Sequence, residues 1–315
     1  MKEMNVAVIG LGWMGKVHLR NYSQMSKVNV VGVMDLDSSV LEEVGMTYDV
    51  PLFTKLDALL DQKPDAVSVC VPTVHHHVTA MAVIERGIPL LVEKPLAASA
   101  AEGREIVEAA KARSVPLMVG HIERFNPAVE RVKSLLEEEN HVISIIFERV
   151  GPYPPRIQDV GVVRDLASHD IDLACFLTGS RYKRISAFTS KNIGSHEDTV
   201  ILSGEMESGV LVQINCNWVT PYKSRQIRVA TQSRYIESNL ITQQVKEYSK
   251  FESYQASYSV REWPVVFREP VREELTRFLA AVRDGAPMPI TGEEGLYVIE
   301  TIERVDSCAC GVASA

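Results

Sequence analysis

Gly10-Leu11-Gly12-Trp13-Met14-Gly15 follows the apolar run Asn5–Ile9 and opens an amphipathic run. In that setting the glycine spacing is a dinucleotide fingerprint. Gly10 permits a tight turn, Gly12 lets backbone approach a pyrophosphate, and Gly15 allows close helix–strand packing. The phosphates would rest on helix N–H groups beside Trp13 and Met14. Asp35 ends the next apolar run, where its carboxylate can accept bonds from ribose hydroxyls and repel a 2′-phosphate. Asp37 adds to that repulsion, and no Arg or Lys falls between Met34 and Leu41. NAD is therefore expected in preference to NADP.

Two further groups could do chemistry. Glu93-Lys94-Pro95 follows the fourth apolar run, at the strand end where such sheets bind ligands, although a salt-bridged turn has the same composition. Asp165 and His169 are four apart, so a helix places them on one face, with Asp172 continuing it. A carboxylate there could orient the imidazole as a proton acceptor; an ordinary helix pair contributes only a few tenths of a kcal/mol. His75-His76-His77 point in different directions, so no metal is expected, and one of the three can reach a cofactor as the strand ends. The five cysteines lack zinc spacing and the density of a disulfide framework, which suits a reducing cytosol.

These groups need a scaffold. Strand-like runs at Asn5–Ile9, Val28–Met34, Ala66–Val71, Leu90–Val92 and Pro116–Val119 alternate with helical runs, as a buried parallel sheet requires. A doubly wound α/β domain over residues 1–121 follows. After Gly120 come a helix at Asn126–Glu139, a strand at Val142–Arg149 and a rigid loop at Gly151-Pro152-Tyr153-Pro154-Pro155. A helix from about Val162 to Leu177 precedes strands at Arg184–Ser190, Thr199–Met206, Gly209–Trp218, Gln226–Ala230 and Arg234–Asn239. Helices at Pro270–Arg283 and Gly292–Ser307 close the chain. Consecutive strands imply an α+β second domain, 122–315, with a largely antiparallel open sheet.

Composition excludes other classes. The length of 315 residues fits about two domains. A formal net charge of −8 argues against nucleic-acid binding, which needs a cationic footprint. The uncharged stretch Met4–Met14 lacks a basic flank and a cleavage site, and Pro72 with three histidines breaks the one at Ala66–Ile84. A cytoplasmic protein without a membrane partner is expected.

Together the fingerprint, Val71-Pro72-Thr73 with His76, Glu93-Lys94-Pro95, Arg124-Phe125-Asn126-Pro127 and Asp165-x-x-x-His169-Asp170-Ile171-Asp172 resemble the glucose–fructose oxidoreductase, inositol dehydrogenase and rhizopine-catabolism (Gfo/Idh/MocA) family over nearly the whole chain. The resemblance implies that Lys94 contacts the reacting hydroxyl, His169 is base or proton relay, and Asp165 is its carboxylate partner. It places Pro72, His76 and Glu93 by the nicotinamide and Arg124 and Asn126 by the substrate. It also implies a homodimer or homotetramer built through the second sheet. The family's triple-glycine turn is here Val160-Gly161-Val162-Val163, which puts the pocket rim in doubt. Arg149, Tyr153 and Arg156 run into the Asp165 helix, and guanidinium groups match phosphate while an aromatic ring can stack on a base. Paired with Glu148 and Asp159, the same arginines would be plain salt bridges. The expectation is an NAD-dependent oxidoreductase resembling those that oxidise the 3-hydroxyl of UDP-N-acetylglucosamine. Inositol or a free aldose is the alternative substrate, and a non-catalytic NAD-binding regulator the alternative of another class.

Overall fold

In the computed structural model, which describes residues 3–138, 141–154 and 160–310, the chain divides into two units. The first comprises Met1–Ile122 and Val271–Ile299. Its strands are β1 (Met4–Ile9), β2 (Val28–Met34), β3 (Leu52–Phe53), β4 (Ala66–Val69), β5 (Leu90–Glu93) and β6 (Leu117–Gly120). They form one sheet in the order β3-β2-β1-β4-β5-β6 with every pair parallel. Val6, Val8, Val67, Leu91 and Val119 are wholly buried, as strands covered on both faces must be. Helices α1 (Trp13–Ser23), α2 (Ser38–Gly45), α3 (Leu56–Leu60), α4 (His76–Glu85) and α5 (Ala100–Ala112) connect them. Only the two-residue β3 was unforeseen, being too short to show a period. The strand order reverses between β1 and β4, so the residues that leave their carboxyl ends border the crevice where open α/β sheets take ligands.

The second unit comprises Glu123–Pro270 and Glu300–Ala315. It opens with α6 (Pro127–Glu137) and β7 (Val142–Pro152), then a π-turn at Val163–Ala167 that runs into α7 (Ser168–Thr178). Seven strands follow: β8 (Tyr182–Ser190), β9 (Thr199–Met206), β10 (Leu211–Asn217), β11 (Val219–Thr231), β12 (Arg234–Asn239), β13 (Gln244–Ser249) and β14 (Val260–Trp263). The sheet order is β14-β13-β12-β11-β7-β10-β9-β8, and all pairs but β7–β10 are antiparallel. Two expectations are corrected, and two strands are added. Gly151-Pro152 is not loop but the end of β7, where Pro152 faces Val219; a strand end tolerates the missing N–H. β11 begins seven residues before Gln226. β13 and β14 carry Lys246, Glu247, Arg261 and Glu262 at the sheet's edge, so they lack the apolar alternation that marks a half-buried strand.

The expected second domain is also divided. The chain ends in α8 (Pro270–Asp284) and α9 (Gly292–Cys310), and Val271–Ile299 belongs to the first unit. Arg272 donates to the Asn21 and Gln24 carbonyls at 2.9 and 3.1 Å, closing the end of α1. Val119 N–H donates to the Ile290 carbonyl at 3.3 Å, and Thr291 and Glu294 form a capping box that starts α9. The first turn of α9 then lies on β6 through glycines. A Cβ at Gly295 would stand 2.5 Å from a Val119 methyl. Helix propensity favours Gly295→Ala by about 1 kcal/mol, but overpacking costs roughly 1–3 kcal/mol. We expect the overpacking to prevail and the substitution to destabilise the protein by up to about 2 kcal/mol in urea unfolding. An unchanged or higher midpoint would show that α9 does not press on β6.

Candidate active site

The glycine loop shows why each position has no side chain. Gly10 has φ +86°, and a Cβ there would lie 2.7 Å from the Cys70 carbonyl carbon. A Cβ at Gly15 would overlap the Gly10 carbonyl oxygen, so α1 can approach the end of β1 only with glycine at 15, whereas Gly10 is fixed by its φ and by the Cys70 backbone. Gly12 differs: a Cβ would meet no protein atom within 4 Å. Packing does not require glycine there, whereas a ligand lying on the backbone would. Gly12 caps α1 with no side-chain bond, and the first turn of α1 contains no acid, so its N–H groups are open to an anion. Trp13 is exposed and Met14 half-buried beside them. These residues fit a dinucleotide.

Asp35 closes the loop's other side. One carboxylate oxygen accepts from Leu11 N–H at 2.7 Å and the other from Asp37 N–H at 3.0 Å. Gly10 N–H donates to the Met34 carbonyl at 2.8 Å. The carboxylate thereby holds the loop at the tip of β2 and has lone pairs left for ribose hydroxyls. Asp37 caps α2, and the Ser39 hydroxyl and N–H keep its carboxyl below the usual range.

Across the switch point, β5 ends at Glu93, and Lys94 is half-buried with a cis peptide to Pro95. Lys94 N–H donates to Glu93 Oε2 at 3.3 Å. Pro72 is exposed. His76 is buried, its Nδ1 2.8 Å from the Pro95 carbonyl and its Nε2 2.9 Å from the Val71 carbonyl. That corrects the expectation of a ring offered to the cofactor, because both nitrogens face backbone and the side chain is a strut between two loop ends. Burial lowers its pKa against the pull of those carbonyls. His75 is exposed, and His77 meets Glu105 at 2.8 Å.

Sequence reasoning missed two buried groups in the same unit. His18 on α1 has Nε2 3.0 Å from Glu93 Oε1 and Nδ1 3.6 Å from Cys70 Sγ. Glu274 on α8 is fully buried, with neither carboxyl oxygen hydrogen-bonded. Both stand in apolar stripes at helical spacing: Gly15, His18, Leu19 and Tyr22, and Val271, Glu274, Leu275 and Phe278. A polar residue inside such a stripe was the available signal.

In the second unit, Asp165 and His169 are both half-buried, but Asp165 lies in the π-turn and His169 in α7. A regular i,i+4 face is thus not what relates them, and π-turns recur at functional sites. At the one glycine left in that turn, Gly161, the space a Cβ would take is filled by the Glu197 carboxyl, which receives Val163 N–H at 3.2 Å.

Three expected substrate contacts turn out to be internal. Arg124 Nε and an Nη grip both Asp172 oxygens at 2.9 and 2.6 Å, over the Phe176 ring. Arg149 meets Asp170 at 2.8 Å and Glu123 at 2.7 Å, and is buried. Burial alone would lower the Arg149 pKa, but Asp170 and Glu123 outweigh it and hold it up. Asn126 caps α6 through Ala128 N–H and donates to the Leu240 carbonyl, both at 3.0 Å. Guanidinium groups read as open phosphate forks are instead matched to carboxylates inside the unit, with different partners from Glu148 and Asp159. Tyr153 is half-buried, edge-on to Trp218 with centroids 5.7 Å apart. Arg156 lies outside the described residues.

Comparison with known proteins decides the family. Residues 4–121 match the profile described as "Oxidoreductase family, NAD-binding Rossmann fold", and residues 141–236 match the GFO/IDH/MocA C-terminal domain. The chain belongs to the Gfo/Idh/MocA oxidoreductase family. It is 27% identical to the UDP-N-acetylglucosamine 3-dehydrogenase of Acidithiobacillus ferrooxidans over 97% of each chain. A solved structure of that enzyme matches with a TM-score of 0.90 and 25% identity over 98% of each chain. Inositol 2-dehydrogenase 2 of Saccharopolyspora erythraea is 32% identical over 67% of this chain and 66% of its own. The fold also matches GenD2 from gentamicin A biosynthesis, solved in complex with NAD, at TM-score 0.86 and 24% identity over 98% of this chain and 95% of that one. The Gfo/Idh/MocA family comprises NAD(P)-dependent dehydrogenases acting on CH–OH groups, so the regulator reading is set aside. Among the described residues, no helix is long and apolar enough to cross a membrane.

Glu274 makes the first unit's stability depend on pH. Burial, reinforced by Glu93, raises its pKa well above the ordinary carboxyl value. The unfolded chain releases that proton near pH 4.5 while the folded chain keeps it, so this contribution to stability is full at lower pH and declines as pH rises. Glu274→Gln should therefore raise the thermal midpoint more at pH 8 than at pH 4. An equal gain at both values would mean that Glu274 is not held neutral.

Proposed function

We propose that the protein is an NAD-dependent dehydrogenase that oxidises the 3-hydroxyl of UDP-N-acetylglucosamine to the 3-keto sugar. The observation that carries this substrate is likeness to a UDP-N-acetylglucosamine 3-dehydrogenase along the whole of both chains. Arg124 and Arg149 do not support it, being committed to carboxylates. The second reading, inositol or a free aldose, is favoured by the inositol dehydrogenase with higher identity over two thirds of the chain.

In the proposed reaction, Lys94 contacts the reacting hydroxyl and takes its proton. His169 is the alternative acceptor of that one proton, with Asp165 fixing its tautomer. Gly12 and the first turn of α1 hold the pyrophosphate, and Asp35 the ribose. When bound, NAD supplies the hydride acceptor. We also propose a cytoplasmic homodimer or homotetramer built through the second sheet. The paired residues Phe188 and Ile201 are exposed side by side on its face, apolar surface that a second copy would cover.

Two measurements test this. Reduced nicotinamide absorbance should rise when the protein meets NAD with UDP-N-acetylglucosamine, and Lys94→Ala should lower kcat about 10²- to 10⁴-fold with NAD affinity nearly intact. Signal with inositol alone would reject the nucleotide sugar, and turnover in the variant would remove Lys94 from the mechanism. Asp35→Ser should reduce the ratio of NAD to NADP affinity about tenfold or more, about 1.4 kcal/mol. The ratio cancels any loosening at Leu11, since both cofactors share the loop; an unchanged ratio would mean that the ribose is read elsewhere.

A further inference from the structure

His18 lies one turn beyond Gly15 on α1, wholly buried behind the glycine loop. Its ring joins two segments that border the switch point. Nδ1 is 3.6 Å from Cys70 Sγ, just past the end of β4, and Nε2 is 3.0 Å from Glu93 Oε1, at the end of β5. The other oxygen of Glu93 receives Lys94 N–H at 3.3 Å. Burial, then the nearby Glu93 and Glu274 carboxyls, raises the Cys70 thiol well above its ordinary pKa. It is therefore S–H, the donor toward Nδ1, while the ring's Nε2 faces the Glu93 carboxyl at ion-pair distance. Glu93 thus has one oxygen against the His18 ring and the other on the lysine peptide. Thiol, imidazole and carboxylate are also metal-ligand types within 4.8 Å of one another. The ring, however, turns one nitrogen to the thiol and the other to the carboxylate, so that no single nitrogen faces both.

We propose that His18 is a positioning residue that ties the cofactor-cradling helix α1 to the lysine turn, through Glu93, so that the Lys94 backbone is held in register with the glycine loop. The link to turnover rests on the reading of Lys94 as the group that takes the proton; the link to the Lys94 peptide does not. Carboxylate partners of this kind orient the groups they hold in many sites.

The test compares His18→Leu, which removes the polar contact with Glu93, with His18→Gln, whose amide can meet the carboxyl from nearly the place of Nε2. Hydrogen exchange of the Lys94 amide should speed up at least tenfold in the leucine variant, while amides in the middle of α5 and β1 keep their rates. Turnover should fall at least tenfold with KM and NAD affinity within about threefold, and His18→Gln should restore most of it. Uniformly faster exchange across the unit, or an unchanged Lys94 amide, would overturn the proposal by making His18 packing alone. So would unchanged turnover in His18→Leu in a protein that Lys94→Ala inactivates. If Lys94→Ala retains full activity, the reading of Lys94 fails instead, and the exchange data still decide whether His18 holds the turn.

Discussion

The close approach of α1 to β1 at Gly10 and Gly15 is the constraint on which the first unit depends. With the place of a Gly15 Cβ overlapping the Gly10 oxygen, any other residue would lever the helix off the strand. Bringing α1 down has two results. Its uncapped N–H groups come to the carboxyl edge of the sheet, where an anion can meet them. Its inward face also brings His18 to Glu93 and Cys70. One steric allowance thus produces both the phosphate cradle and the buried chain behind Lys94.

In the second unit, charge is used internally. Arg124 with Asp172, and Arg149 with Asp170 and Glu123, fasten the segment after Ile122 and strand β7 to helix α7, which carries His169. Such pairs contribute little over a well-packed apolar equivalent, but removing one partner costs roughly 3–5 kcal/mol because the other charge is left buried. Their effect is to make the placement of α7 all-or-none. Asp172, which the sequence offers as a continuation of the Asp165–His169 face, is one of these fasteners.

The resemblance, for Arg124, Asn126 and His76, and residue type, for Arg149, point to ligands, while the fold gives each of these groups internal partners. Burial and partner distances decide between those roles, and neither can be read from spacing. Gly12 is the converse case. Its sequence context suggested a ligand, and the empty space around its missing Cβ supports that more directly than the motif does.

The alternation of apolar runs and helices was sufficient for the parallel sheet, because a strand buried on both faces must be apolar throughout and such runs stand out. The glycine spacing and Asp35 were likewise legible, since each answers a local backbone or charge requirement. Three things were decided only in three dimensions. The return of Val271–Ile299 to the first unit depends on Gly292 and Gly295 meeting β6, a contact between positions more than 170 apart in the chain. Strand β13 and the edge strand β14 exist through backbone pairing that their charged side chains do not announce. The meeting of His18, Cys70, Glu93 and Glu274 needed four separate elements folded onto one another, because a hydrogen bond between distant residues leaves no period in a sequence.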